Sequence, residues 1–205
     1  MKIAWFTTIR GKSTIGIYSI SSAIELSKYI DIDLFVSDQE NAQVNLYTTK
    51  LSKIYYNQEN VLTLLKCYDV CIYNIGQNFE DHSIIYNIIH QHPGIIIIHD
   101  INKFTLKKTE EIYRYSLGFV VHSKDDSLKI KSKYAGPVCI IPLVNDNKWK
   151  NYSKKLYNFI QSINFLKPLY SLTNLVSEEL GSMWVFSDMQ IVKKISNEIS
   201  SLFEK

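Results

Sequence analysis

The sequence predicts an α/β fold: a doubly wound parallel sheet followed by a helical extension. Three observations predict it. Short runs of β-branched and aromatic residues recur up to about residue 145, segments with apolar residues at helical spacing stand between them, and the β pattern stops past Pro142. Apolar runs separated by amphipathic segments are how a parallel sheet covered on both faces reads in one dimension.

Taken in order, Ile3 to Thr7 reads as the first strand and Gly16 to Tyr29 as the first helix, with Ile17, Ile20 and Ile24 near helical spacing. A second strand runs from Ile32 to Val36. After a polar stretch from Asp38 to Asn45, Asn57 to Lys66 reads as helix and Asp69 to Ile75 as strand. Asp81 to Gln91 is amphipathic, with Ile84, Ile85, Ile88 and Ile89 on one face, and leads to the clearest strand, Gly94 to His99. A helix at Lys103 to Tyr115, a strand at Gly118 to His122, a helix at Lys124 to Lys133 and a strand at Pro137 to Ile141 complete the alternation. Six or seven strands in this order give a Rossmann-like sheet over residues 1 to 145. Residues 146 to 205 then read as helices, at Lys148 to Ile163, Pro168 to Leu180 and Ser187 to Phe203.

Composition narrows the function. The chain has 205 residues, 46% hydrophobic, with 7 Gly and 4 Pro, which is globular and leaves no room for two full catalytic domains. The net charge is +3, and Arg10 and Arg114 are the only arginines among 23 basic residues. The planar fork that reads guanines and phosphates is nearly missing, which argues against nucleic acid. Lys103 to Lys133 carries an excess of basic residues, a solvated helix face or a peripheral contact with anionic lipid or phosphate. Cys67, Cys71 and Cys139 have no zinc-type spacing, and Cys71 and Cys139 sit in apolar runs, as buried thiols of a reducing compartment do. No metal or cofactor is implied. No apolar run approaches the ~18 residues of a membrane span, and the start, Met-Lys-Ile-Ala-Trp-Phe, has no leader pattern. The expectation is a cytoplasmic protein.

Ligands of open parallel sheets bind at the carboxyl ends of the strands, and here those ends are polar. The segment Thr7 to Gly16 opens a helix, and its N–H groups could hold a phosphate or sugar oxygen; equally, it is a plain turn with Ser13 or Thr14 as the helix cap. Tyr73-Asn74-Ile75-Gly76-Gln77-Asn78 is a ligand-facing loop or an ordinary polar turn, Gly76 permitting close approach to the backbone. His99-Asp100 sets an imidazole beside a carboxylate, where it could orient or deprotonate a hydroxyl; otherwise His99 bonds a carbonyl and Asp100 caps the next helix. In His122-Ser123, Ser123 reads as an N-cap.

In order and spacing, these segments resemble the N-terminal domain of GT-B glycosyltransferases of the family-four (group 1) type. The matching pieces are Lys2 to Thr7, Ser13 through Gly16 to Ser19, Asp31 to Val36, Tyr68 to Gly76, His92 to Asp100, Gly118 to Ser123 and Gly136 to Pro142. The resemblance implies an acceptor-binding domain in which Gly16 marks the loop nearest the donor's sugar-phosphate part, Asn74 and Gly76 line the acceptor side, and His99 faces the reaction centre as the catalytic residue. Ser13 and Asp100 would join the ligand-binding set. The first loop departs from the family, with Arg10-Gly11-Lys12-Ser13-Thr14 where prolines normally precede the serine and a glycine follows it.

The family's donor-binding domain uses two glutamates eight positions apart, and no pair in this sequence has that separation. Instead Lys148 to Ile160, with an aromatic stripe of Trp149, Tyr152 and Phe159 around Leu156, resembles the helix that crosses back onto the first domain in complete enzymes. The expectation is an acceptor-binding half that works with a separate donor-binding chain, or a non-catalytic subunit. The alternative is a scaffold that dimerises or docks a partner through its C-terminal helices, where Met183-Trp184-Val185-Phe186 is strongly apolar.

Overall fold

The computed structural model describes residues 1–8, 14–37, 50–76, 83–89, 91–101, 112–134, 136–144 and 148–163, with single positions 197 and 201. Seven strands form one all-parallel sheet in the order β3-β2-β1-β4-β5-β6-β7. They are β1 (Lys2–Phe6), β2 (Asp31–Ser37), β3 (Ser52–Tyr56), β4 (Val70–Ile75), β5 (Gly94–Ile98), β6 (Gly118–Val121) and β7 (Val138–Ile140). The helices among the described residues are α1 (Thr14–Leu26), α2 (Val61–Leu64, continued by a 3₁₀ turn at Leu65–Cys67), α3 (Ser83–Ile88), α4 (112–115), α5 (Lys124–Lys131) and α6 (149–163). The chain starts in the middle of the sheet, steps outward to β3, then returns across β1 to build the other half. The reversal lies between β1 and β4, the topological switch point of this class.

Burial explains why the inner strands are almost wholly apolar. Every residue of β4, β5, β6 and β7 is buried, as a sheet covered on both faces requires. The two faces carry different side chains, since successive residues alternate. On one face Phe6 stacks with Phe35, Tyr73 and Tyr56 at centroid distances of 4.9, 4.7 and 5.1 Å. On the other, the buried Trp5 donates its indole N–H to Ser19 Oγ of α1 at 2.8 Å. A Cβ on Gly118 would stand 3.0 Å from the Phe159 ring, so α6 lies close over β6 on that same face. The stripe expected on this helix is in place, with Tyr152, Leu156, Phe159, Ile160 and Ile163 all buried. Burying side chains of this size contributes about 1.5–3 kcal/mol each.

Several elements differ from the sequence reading. The strand β3 escaped it: Ser52-Lys53-Ile54-Tyr55-Tyr56 is only partly buried at the sheet's edge and lacks a clean apolar period. Helix was expected from Asn57, but α2 begins at Val61 because two asparagines tie the backbone into a turn first. Asn57 Oδ1 accepts from the N–H groups of Glu59 and Asn60, both at 3.0 Å, and Asn60 Oδ1 accepts from Asn57 N–H at 2.9 Å. Helix α1 starts two residues before the expected Gly16 and ends at Leu26 instead of Tyr29. The Ser123 cap is as expected, its Oγ accepting from Asp126 N–H at 3.1 Å. Cys71 and Cys139 are buried thiols outside any disulfide, and Cys67 is exposed. The polar stretch from Asp38 to Asn45, most of Lys103 to Tyr115, the helices expected at Pro168 to Leu180 and Ser187 to Phe203 and the apolar run Met183 to Phe186 lie outside the described residues.

Two places govern stability. Gly94 opens β5 where a Cβ would stand 2.4 Å from the Cys71 carbonyl oxygen and 2.6 Å from the Tyr73 ring, whose hydroxyl donates to His92 O at 2.7 Å. At the amino end of the sheet, Asp33 is buried and accepts from Lys2 Nζ at 2.8 Å and from Tyr68 OH at 2.6 Å, with Lys2 also 4.9 Å from the centroid of the Tyr68 ring. Burial pushes the Asp33 carboxyl upward, but the bonds from Lys2 and Tyr68 outweigh it and hold the group below the ordinary carboxylate value.

Gly94→Ala is therefore expected to lower stability by about 1–3 kcal/mol in urea denaturation, since backbone and a packed ring both obstruct the new methyl. Because its folded value is depressed, Asp33 contributes stability that is present above the unfolded carboxyl value and is lost as pH falls through the folded one. Asp33→Asn should thus flatten the acid side of a plot of denaturation midpoint against pH; an unchanged slope between about pH 5 and 2 would refute this role.

Candidate functional site

The register of the sheet brings the polar strand ends together. Ile75 pairs with Ile98, and Ile97 with Val120. Carried forward, one step from the first pair and two from the second, this register puts Gly76, His99 and His122 in a single row beyond β4, β5 and β6. Side-chain alternation sets His99 with Ile95 and Ile97, and His122 with Gly118 and Val120, on the face that α1 and α6 cover. The histidines therefore meet beneath helices.

A chain of contacts crosses this edge. Asn74, 2% exposed and next to last in β4, donates its amide N–H to the Phe6 carbonyl of β1 at 2.9 Å. That bond orients the amide, so Oδ1 faces His99 Nε2 at 3.3 Å. His99 Nδ1 lies 3.2 Å from His122 Nε2, and His122 Nδ1 lies 2.8 Å from the Ile141 carbonyl that follows β7. Five elements of the sheet, from β1 to the end of β7, are thus connected through three side chains.

Tyr18 of α1 roofs the pair edge-on, its ring 5.4 Å from that of His99 and 5.6 Å from that of His122. Behind it stand Trp149 at 4.7 Å and Tyr152 at 5.5 Å, both from α6. Burial raises the Tyr18 hydroxyl far above its usual value, more than its approach to Tyr152 and to the Val144 backbone lowers it. Burial is also the main influence on His122 and lowers it, against the opposing effects of the Ile141 carbonyl and the Asp126 charge. His122 is accordingly neutral at physiological pH.

Of the residues singled out from sequence, Asn74 and His99 touch one another, and Gly76 and Asp100 immediately follow β4 and His99. Gly16 lies in the first turn of α1 and is buried, on the same helix as Tyr18. Ser13 lies outside the described residues. His122 was read only as the neighbour of a capping serine. The signal that could have found it is positional: each of two adjacent parallel strands is followed directly by a histidine. Tyr18 gave no such signal, because an aromatic residue on an amphipathic helix reads as core.

No protein-family profile matches the chain, and no curated protein does. Among solved structures it superposes on a sucrose-phosphate synthase from Thermosynechococcus elongatus, in a form labelled 27–220 and 406–426. The TM-score is 0.53 at 14% identity, covering 80% of this chain and 99% of that one. The two share a fold. It is a Rossmann-like GT-B half, a parallel sheet with helices following. No helix among the described residues is long and apolar enough to cross a membrane.

Asn74→Leu should cost about 1–3 kcal/mol in chemical denaturation, because it removes a buried donor from the Phe6 carbonyl and an oriented acceptor from His99. A change below about 0.5 kcal/mol would show that the amide is not an anchor of this edge.

Proposed function

We propose that the chain is glycosyltransferase-like and serves as the acceptor-binding half of such an enzyme, the nucleotide-sugar being held by a donor-binding partner. The observation that carries this reading is a Rossmann-like sheet closed, straight after its last strand, by one aromatic helix, and matched over 99% of a sucrose-phosphate synthase chain. Only residues 141–148 stand between β7 and α6. In the family that the sequence resembles, a donor-binding domain separates the corresponding strand and helix.

The carboxyl edge suits an acceptor better than a donor. Sugar hydroxyls are recognised by groups that both give and take hydrogen bonds, and by aromatic surfaces. Asn74 and His99 are of the first kind, the Asp100 carboxylate adds an acceptor, and Tyr18 and Trp149 stand beside them. Holding a diphosphate leaving group calls instead for convergent cations or N–H groups. In this reading His99 is the catalytic residue: it lies against the hydroxyl that attacks the donor sugar, while Asn74, Gly76 and Asp100 line the acceptor's place and Gly16 marks the donor side.

Calorimetric titration of the purified chain with mono- and disaccharides and their phosphates tests the reading. A saccharide should bind, and His99→Ala should weaken it about tenfold, the equivalent of one hydrogen bond of about 1.4 kcal/mol. Absence of saccharide binding would overturn the acceptor role. Turnover of a nucleotide-sugar by the chain alone at an enzyme-like rate would overturn the dependence on a donor-binding partner.

A further inference from the structure

The charges of α5 and α6 follow opposite rules. Helix α5 has Asp125 and Asp126 in its first turn and Lys129 and Lys131 in its last, the arrangement its dipole favours. Residues 148–163 hold Lys148, Lys150, Lys154 and Lys155 and no carboxylate, and all four lysines come before the middle of α6. Lys148 and Lys150 therefore stand at the positive end of the helix dipole, and Lys150 repels Lys154 one turn on. Lys148, Lys150 and Lys154 are exposed, and among the described residues none of them is in an ion pair. Within the fold this grouping is unfavourable on both counts, whereas an external anionic surface complements it.

What lies beside these lysines decides which kind of anion. Trp149, half-buried, and the backbone of Val144 both reach Tyr18. The exposed Pro142 and Leu143 therefore stand next to the first turn of α6, and Leu143 is 59% exposed. A leucine open to water beside lysines suits a surface with anionic headgroups over hydrocarbon, where lysine stems lie along apolar groups and the ammonium reaches the phosphates. It would add nothing to the binding of a soluble phosphate. Nucleic acid is the poorer match, because residues 142–163 contain no arginine.

We propose that Pro142, Leu143, Lys148 and the first two turns of α6 form a docking surface for an anionic lipid bilayer. The lysines meet the headgroup phosphates and Leu143 enters the boundary with the acyl chains. The carboxyl edge of the sheet, which shares Trp149 with this surface, then faces the membrane. This is not the basic run from Lys103 to Lys133. The described helix of that run, α5, lies on the other face of the sheet: Tyr134, just after it, meets the Phe119 ring at 4.7 Å, and Phe119 alternates with Gly118, which faces α6. Its lysines are therefore an internal control. The docking surface stands whether or not the edge binds a saccharide.

Co-sedimentation of the full chain with vesicles tests this, using phosphatidylcholine alone and phosphatidylcholine with about one-third phosphatidylglycerol. The chain should bind the anionic vesicles at about 0.1 M salt, bind the neutral ones about tenfold more weakly or less, and lose most of its binding at about 0.5 M salt. A lysine near an anionic surface is worth about fivefold, so Lys150→Gln with Lys154→Gln should weaken binding about twentyfold. Leu143→Ser should weaken it at both salt levels, because an apolar contact is not screened. Lys129→Gln with Lys131→Gln on α5 should leave it unchanged. All of these side chains are exposed, so the variants should keep the fold, which far-ultraviolet circular dichroism checks. No binding to anionic vesicles, equal binding to neutral ones, a loss in the α5 variant as great as in the α6 variant, or capture of single-stranded RNA in place of vesicles would overturn the proposal. Vesicle binding without saccharide binding would sink the acceptor reading alone, and saccharide binding without vesicle binding would sink this inference alone.

Discussion

Because β4, β5 and β6 run parallel and in step, Gly76, His99 and His122 reach the same height at the sheet's carboxyl edge, and everything else at that edge follows from this register. A slip of one residue between β5 and β6 would turn one histidine to the opposite face and break the contact between them. The register is held in turn by buried side chains. Gly94 lets the Tyr73 ring approach the start of β5 closely, and Gly118 does the same for Phe159 at the start of β6. Two glycines at the amino ends of adjacent strands thus permit the packing that fixes two histidines at their carboxyl ends.

The role of α6 is best understood from what it touches. Its buried side chains extend the apolar face of the sheet, but its first turn does something different, setting Trp149 and Tyr152 against Tyr18 at 4.7 and 5.5 Å. Tyr18 in turn meets both histidine rings. A further ring contact, Tyr29 to Tyr157 at 5.8 Å, ties the far end of α1's run to α6. The helix that closes the core is therefore also the support for the roof of the site. Loss of its packing would reach the imidazoles through one aromatic ring, with no direct contact between α6 and either histidine required.

Much of this was legible in the sequence, for reasons that can be named. The inner strands carry unbroken apolar runs, Gly94 to Ile98 above all, because both of their faces are buried. The edge strand β3 has only a partly buried pattern and gave no comparable signal. The aromatic stripe of α6 could be read because its period matches one helical face. Asn74 and His99 were recognisable as polar groups at strand ends, but that they touch depends on register, which no single strand encodes. His122 was obscured by its neighbour: Ser123 explained the local polarity as a cap, and it is one. A local explanation that is correct can still hide a residue whose partner lies 23 positions away.

The two ends of the sheet also divide the titratable chemistry between them. At the amino end, Lys2, Asp33 and Tyr68 form a closed set in which each charge or hydroxyl meets its complement, and the result is stability. At the carboxyl end Asn74, His99 and His122 link the strand ends through an amide and two imidazoles, groups that can each give or take a hydrogen bond. They stand at the strand ends where ligands of this class of sheet are bound.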